Sequence, residues 1–268
     1  MFLLLLSLIF IYLFYLFFWN DYLVDELHGS VGCVAPFEGN VGCVEPFEGQ
    51  DVQILSKDSL IDLLVNNPPD NYYDFLTELD FKARGVGSLD EYLQKIRHRC
   101  LQSPDGSDSE IIRQCIRQCN GHFADVSGKW IDAKKFRALP WKIAITCGGS
   151  TYEYGLPHTR GDVIIVNKKD IKNSDDFVDT LLHERVHVYQ KMYPLDFQKY
   201  LDSEGFVRYC KRKDVANVAA NPDADEWVYM KDGDVFVGQY AGSGANYKSV
   251  RFRPVNHPRY DCPQEYSI

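Results

Sequence analysis

Basic residues are missing from the front of this 268-residue chain: no Lys or Arg precedes Lys57. Over the whole chain 29 Lys and Arg face 38 Asp and Glu, a net charge of −9. A chain this acidic lacks the cationic footprint that phosphate backbones demand, so nucleic acid is not an expected partner. No CxxC pair occurs among the eight cysteines, at positions 33, 43, 100, 115, 119, 147, 210 and 262. Their sparse spacing argues against a disulfide scaffold. Only one long apolar run is present, which excludes a multi-span membrane protein.

That run is Phe2 to Trp19, which holds one polar residue, Ser7, and no charge. Eighteen helical residues reach about 27 Å, close to a hydrocarbon core of about 30 Å. Phe17, Phe18 and Trp19 close the run where an interfacial aromatic belt belongs. A cleaved signal peptide would show a basic leading segment and a small-x-small cleavage site, and neither is present. The expectation is an uncleaved signal anchor over residues 1–20, placing a single-pass protein in a membrane through residues 2–19. With no Lys or Arg flanks, the positive-inside rule has nothing to count and orientation is unreadable.

Residues 31–40 (VGCVAPFEGN) and 41–50 (VGCVEPFEGQ) form a tandem repeat identical at eight of ten positions. Two ten-residue copies cannot stack a core. Pro36 and Pro46 mark turns, so residues 21–55 read as a flexible stalk.

From 56 to 139 the pattern is helical. Leu60, Ile61, Leu64 and Val65 make an apolar stripe stopped by Pro68-Pro69. Ser88-Leu-Asp-Glu91 is a capping-box signature. Asp108 or Ser109 can cap a helix bearing Cys115 and Cys119, which with His122 could clip a metal but read more simply as buried thiols. A short helix near 132–138 ends at Pro140. From 140 to 268 strand signals enter: Trp141–Thr146, the β-branched Val163–Val166, and a hairpin over 227–240 turning at Lys231–Asp234. Between them a helix opens at Ser174, a good N-cap followed by Asp175 and Asp176, and keeps its period to about Met192.

This helix carries His183-Glu184-Arg185-Val186-His187. Residues four apart face the same way, so two imidazoles can meet one Zn²⁺ at about 2.0–2.1 Å each. Glu184, about 100° round the helix, can then serve as general base. A catalytic zinc needs a third protein ligand and an open position. Downstream carboxylates are Glu204, Asp223, Asp225, Glu226 and Glu265. Glu204 sits at a solvated helix end, Asp223 in a turn after Asn221-Pro222, and Glu265 after Pro263, as if opening a last helix.

The chain resembles the zincin metallopeptidases, gluzincin-like in its HExxH helix. More narrowly, it resembles membrane-anchored metalloprotease-like proteins of large DNA viruses. The resemblance is carried by Leu139-Pro-Trp141, Glu153, GLPHTRGDVIIV at 155–166, TLLHERVHVYQ at 180–190, Asn221-Pro-Asp223 and Tyr260–Glu265. It covers about 130 residues, from 135 onward, and leaves out the anchor and the repeat. It implies one zinc held by His183, His187 and Glu265, with Asp223 the alternative third ligand. It also implies a host or virion membrane and a peptide or protein substrate.

The expected fold is α+β: a transmembrane helix, a repeat stalk, a helical subdomain (56–139), then a zincin-like catalytic subdomain (140–268). That last part should hold a small, mainly antiparallel sheet with the HExxH helix beneath it. Expected oxyanion or substrate donors are His158 and Arg160, then Tyr229 and Tyr240. The resemblance also suggests that Val163–Val166 pairs with substrate backbone. Two other readings compete. One is a catalytically degenerate anchored structural or interaction protein, suggested by the stalk repeat and an end at Ile268, three residues past Glu265. The other is a zinc hydrolase of a different bond.

Overall fold

Val163-Ile164-Ile165-Val166 is apolar on both faces, which suits a strand only at the centre of a covered sheet. The computed structural model describes residues 52–122, 130–149, 152–240 and 250–253, all within one unit of the chain, Phe47–Ile268. The anchor at 1–20, most of the stalk, the repeat and Glu265 lie outside the described residues. Among the described residues no helix is long and apolar enough to cross a membrane.

The fold is mixed helix and sheet, as α+β implies. The first sheet has the order β1 (Val52–Ile54), β2 (Trp141–Thr146), β4 (Val163–Asn167), β3 (His158–Arg160). All of β4 is buried. Contrary to a mainly antiparallel sheet, β1–β2 and β2–β4 run parallel and only β3–β4 is antiparallel. Each parallel pair is joined by a long connection, which is what parallel pairing requires. The helices α1 (Lys57–Ile61, continuing as a π turn over Asp62–Asn66), α2 (Glu78–Ala83), α3 (Leu89–Lys95), α4 (Gly106–His122) and α5 (Ala133–Ala138) all fall between β1 and β2. Leu60, Leu64, Tyr92 and Ile96 pack on Ala144, Val163 and Ile165, so the helices of 56–139 and the strands beyond 140 share one core.

The other face of β4 is covered by α6 (Asp175–Met192). Helix α4 packs on α6 in turn. Cys119 Sγ lies 3.6 Å from the Val178 carbonyl and Cys115 Sγ 3.7 Å from that of Lys172. Burial pushes the Cys119 thiol up to about 12, so these are packing thiols. Helix α4 opens three residues earlier than the Asp108 cap predicts. Asp105 takes that place, accepting the Asp108 N–H at 2.8 Å, and frees Asp108 to bind Lys168. Ser88 does cap α3, accepting the Glu91 N–H at 3.2 Å.

After α7 (Pro194–Ser203) comes a second, antiparallel sheet: β5 (Val207–Lys211), β6 (Trp227–Lys231), β7 (Asp234–Tyr240), β8 (Val250–Arg253). The expected hairpin is β6–β7. Asp232 and Gly233 both have positive φ, 54° and 86°, which matches the right-handed twist of the flanking strands.

Between the helices and β3 lies a buried ionic cluster. Arg84 donates to Glu153 at 2.6 Å, and Tyr92 donates to the same carboxylate. Arg160 grips Asp70 through Nε and Nη2 at 2.7–3.0 Å and donates to Tyr152. Its guanidinium also lies over the rings of Tyr72 and Tyr73. Glu153 and Tyr154 are held at φ 41° and 60°, a conformation costing non-glycine residues about 1–3 kcal/mol each. The cluster over-determines that turn and so fixes the start of β3.

Glu153→Gln leaves Arg84 short of its main counter-charge and is expected to lower unfolding free energy by about 3–5 kcal/mol, measured by urea denaturation. Acid should act through the same cluster. Burial works to raise the Asp70 pKa, but Arg160 overrides it and the net direction is below 3.8. A depressed folded pKa gives stability that is complete above the unfolded value and lost as pH falls through the folded one. Stability should therefore decline below about pH 4, with a shallower decline in Asp70→Asn.

Candidate functional site

Helix α6 opens at Ser174 as expected, although the cap is made by its backbone carbonyl, which accepts the Phe177 and Val178 N–H groups at 3.1 Å, and not by its hydroxyl. One turn apart, His183 and His187 turn their rings toward each other, with Nε2 atoms 3.1 Å apart. The two nitrogens are hydrogen-bonded to each other here; two ligands at zinc-nitrogen distance on a tetrahedral ion sit about 3.3 Å apart, so nearly the same ring placement suits a single cation. His187 is fully buried. Its Nδ1 lies 2.8 Å from Gln190 Oε1. An amide oxygen only accepts, so Nδ1 carries the proton and Nε2 presents its lone pair. Burial first, and His187 second, push the His183 imidazole down to about 3 against the pull of Asp223. His183 is therefore neutral at physiological pH, the form a metal needs.

Glu184 is 3% exposed. Its Oε2 accepts the Thr159 hydroxyl at 2.9 Å, which ties the helix to β3. Arg185, the next residue, points away from the histidines. Its Nη2 donates to the carbonyls of Phe136 and Leu139 at the end of α5, at 3.1 and 2.7 Å, and its guanidinium stacks 4.0 Å over Trp141. This pin sets the rotation of α6 about its axis.

The Asp223 side chain, 8% exposed, lies beside the pair. Its Oδ1 accepts the Thr159 N–H at 2.8 Å and lies 3.4 Å from Lys191 Nζ. Burial works to raise its pKa, but the neighbouring His187, Lys191 and His158, together with the Thr159 N–H, hold it below the usual carboxylate value. Among the described residues, no third His, Cys, Asp or Glu joins the two histidines in a metal-binding group. That leaves Asp223 a near neighbour, and Glu265 lies outside the described residues. The remaining carboxylate candidates have other partners: Glu204 faces Lys231 at 3.8 Å, Glu226 pairs with Lys211, and Asp225 accepts the Tyr229 hydroxyl.

The four expected donors are otherwise engaged. Arg160 sits on the opposite face of β3 from the Thr159 side chain, committed to Asp70. His158 faces Tyr152 and spends an N–H on the Leu156 carbonyl, 2.9 Å from Nδ1. Burial lowers its pKa, so the neutral ring has no second proton to donate. Tyr229 donates to Asp225 and Tyr240 to Asp80. The expected substrate strand is corrected as well: β4 is paired on both sides, and β3 forms the edge of the sheet.

Three residues that the sequence reading passed over belong to the site. Gln190 and Lys191 lie three and four residues after His187, a spacing that helical geometry alone could have flagged. Thr159 offered no signal beyond its place in the block before β4. No protein-family model, curated protein or solved structure matches the chain.

Arg185→Lys keeps the charge but loses the planar contact with Trp141 and the pair of carbonyl bonds. It should lower unfolding free energy by about 1–3 kcal/mol, read as a shifted urea midpoint.

Proposed function

We propose that this protein is a zinc-dependent metalloendopeptidase, held to a membrane by residues 2–19. The observation that carries the reading is the convergence of two imidazoles, His187 buried and His183 half-buried, on one point. A carboxylate follows the first of them on a helix packed under a sheet edge. The donor set fits zinc: His187 is oriented by Gln190, as ligating histidines usually are by an outer partner. His183 and His187 would hold the ion, with Glu265 as third ligand and Asp223 as the alternative.

When bound, zinc would supply a Lewis acid that polarises the scissile carbonyl and acidifies a water. The remaining chemistry belongs to this chain. Glu184 takes a proton from the attacking water and passes it to the leaving amine. The Thr159 hydroxyl on Oε2 orients that carboxylate. Burial of Glu184 and His187 keeps bulk water from the reacting groups. The substrate is a peptide or protein.

The test uses the full chain in detergent micelles. The wild type should carry about one zinc per chain. Glu265→Ala should lose it and Asp223→Ala should keep it. Glu184→Gln should keep zinc while peptide hydrolysis falls by about 10²–10⁴-fold. A folded wild type that takes up no zinc, or equal hydrolysis by wild type and Glu184→Gln, would return the anchored interaction protein as the better reading.

A further inference from the structure

Lys191 follows His187 by one turn, so α6 presents His183, His187 and Lys191 along one side. An ammonium has three donors and no acceptor. Lys191 Nζ has three acceptors around it: the Thr159 carbonyl, the Pro222 carbonyl at 2.9 Å, and Asp223 Oδ1 at 3.4 Å. Its side chain is 20% exposed. The same Asp223 oxygen accepts the Thr159 N–H at 2.8 Å. Asp223 is also fixed from behind, its own N–H donating to Asn221 Oδ1 at 2.9 Å.

Thr159 is the middle residue of β3, with neighbours paired to Ile165 and Val163. Its N–H and C=O point outward, away from β4. One side-chain acceptor and one side-chain donor therefore imitate a residue of a further antiparallel strand. The clamp fastens three segments together: α6, the edge of β3 and the Asn221–Asp223 turn. It also neutralises a carboxylate whose field reaches both imidazoles.

We propose that Lys191 is a positioning residue that commits Asp223 to the sheet edge and keeps its carboxylate out of the metal coordination at His183 and His187. The inference rests on the zinc reading for its metal arm only. Asp223 is the nearby carboxylate, but its charge and its better-placed oxygen are already spent on Lys191 and Thr159. Removing the ammonium frees it, and the strongest remaining cation in reach is the metal.

The consequence is an opposition of sign. Lys191→Met, which keeps the buried stem, should raise zinc affinity by about tenfold, with a changed visible spectrum in the cobalt-substituted protein as a carboxylate enters coordination. Adding Asp223→Asn to that variant should reverse both effects. Asp223→Asn alone should keep one metal per chain and weaken affinity by roughly 10-fold, the lower end of the range for outer-shell partners. A purely structural Lys191 would instead weaken metal binding when removed. A second arm needs no metal. Amide hydrogen exchange in zinc-free full-length protein should quicken at 158–160 and at 221–223 together in Lys191→Met. Unchanged or weaker zinc affinity in Lys191→Met overturns the proposal, as does unchanged exchange at either segment. If the wild type binds no zinc, the peptidase reading fails by itself and the exchange arm alone decides whether the clamp exists.

Discussion

A strand of three residues must have its backbone satisfied on two edges and its side chains packed on two faces, and the site depends on how β3 meets that demand. His158, Thr159 and Arg160 are all buried. One edge is taken by β4. Among the described residues the other has no strand, and a buried N–H and C=O left bare would each cost about 1–3 kcal/mol. Asp223 and Lys191 meet that cost from two other parts of the chain. In doing so they fix where Thr159 stands, and its hydroxyl fixes Glu184. The geometry at the helix is thus inherited from an edge-satisfaction problem in the sheet.

The far face of β3 is held by charge. Arg160 and Arg84 are both nearly inaccessible, and a buried guanidinium is tolerable only with a partner and a full set of acceptors. Asp70 and Glu153 supply the charge, and the tyrosine rings and hydroxyls around them complete the shell. These pairs add little net stability over a well-packed apolar core. What they add is position: the left-handed turn at Glu153 and Tyr154 aims the chain into β3. Gly161 completes this constraint at the other end, at φ 58°, where a Cβ would come within 2.8 Å of Pro69. β3 is therefore clamped at its start, its end, its outer edge and its lower face.

Much of this was legible in sequence where the signal is local. The HExxH spacing gives a helix with two histidines on one side, and the β6–β7 turn is written in Asp232-Gly233. The stripe of Leu60 and Leu64 lies in the core as its period requires. What was not legible depends on pairing at a distance. Val163–Val166 reads as a strand, but nothing in it says that β3 would take the edge and leave it central. The parallel pairing of Val52–Ile54 with β2 spans nearly ninety residues, and no local pattern carries it. Arg160 was expected as a donor because an Arg near a presumed site invites that reading. Its partner Asp70 is ninety residues away, and only the fold brings the two together.

Charge balance connects the clamp to the choice of ligand. In the proposed zinc site a dication enters a low-dielectric setting where two imidazoles contribute no charge. Buried charge must be matched locally or its solvation cost dominates. Glu184 supplies one negative charge. Asp223 would supply the second if it were free, but Lys191 already cancels it, so the Asp223–Lys191 pair is neutral as a unit. A further carboxylate is then required for balance, and this is the physical ground for preferring Glu265 over Asp223. The same arithmetic explains why loss of Lys191 would redirect Asp223: with the ammonium gone, the dication would offset its charge in place of Lys191.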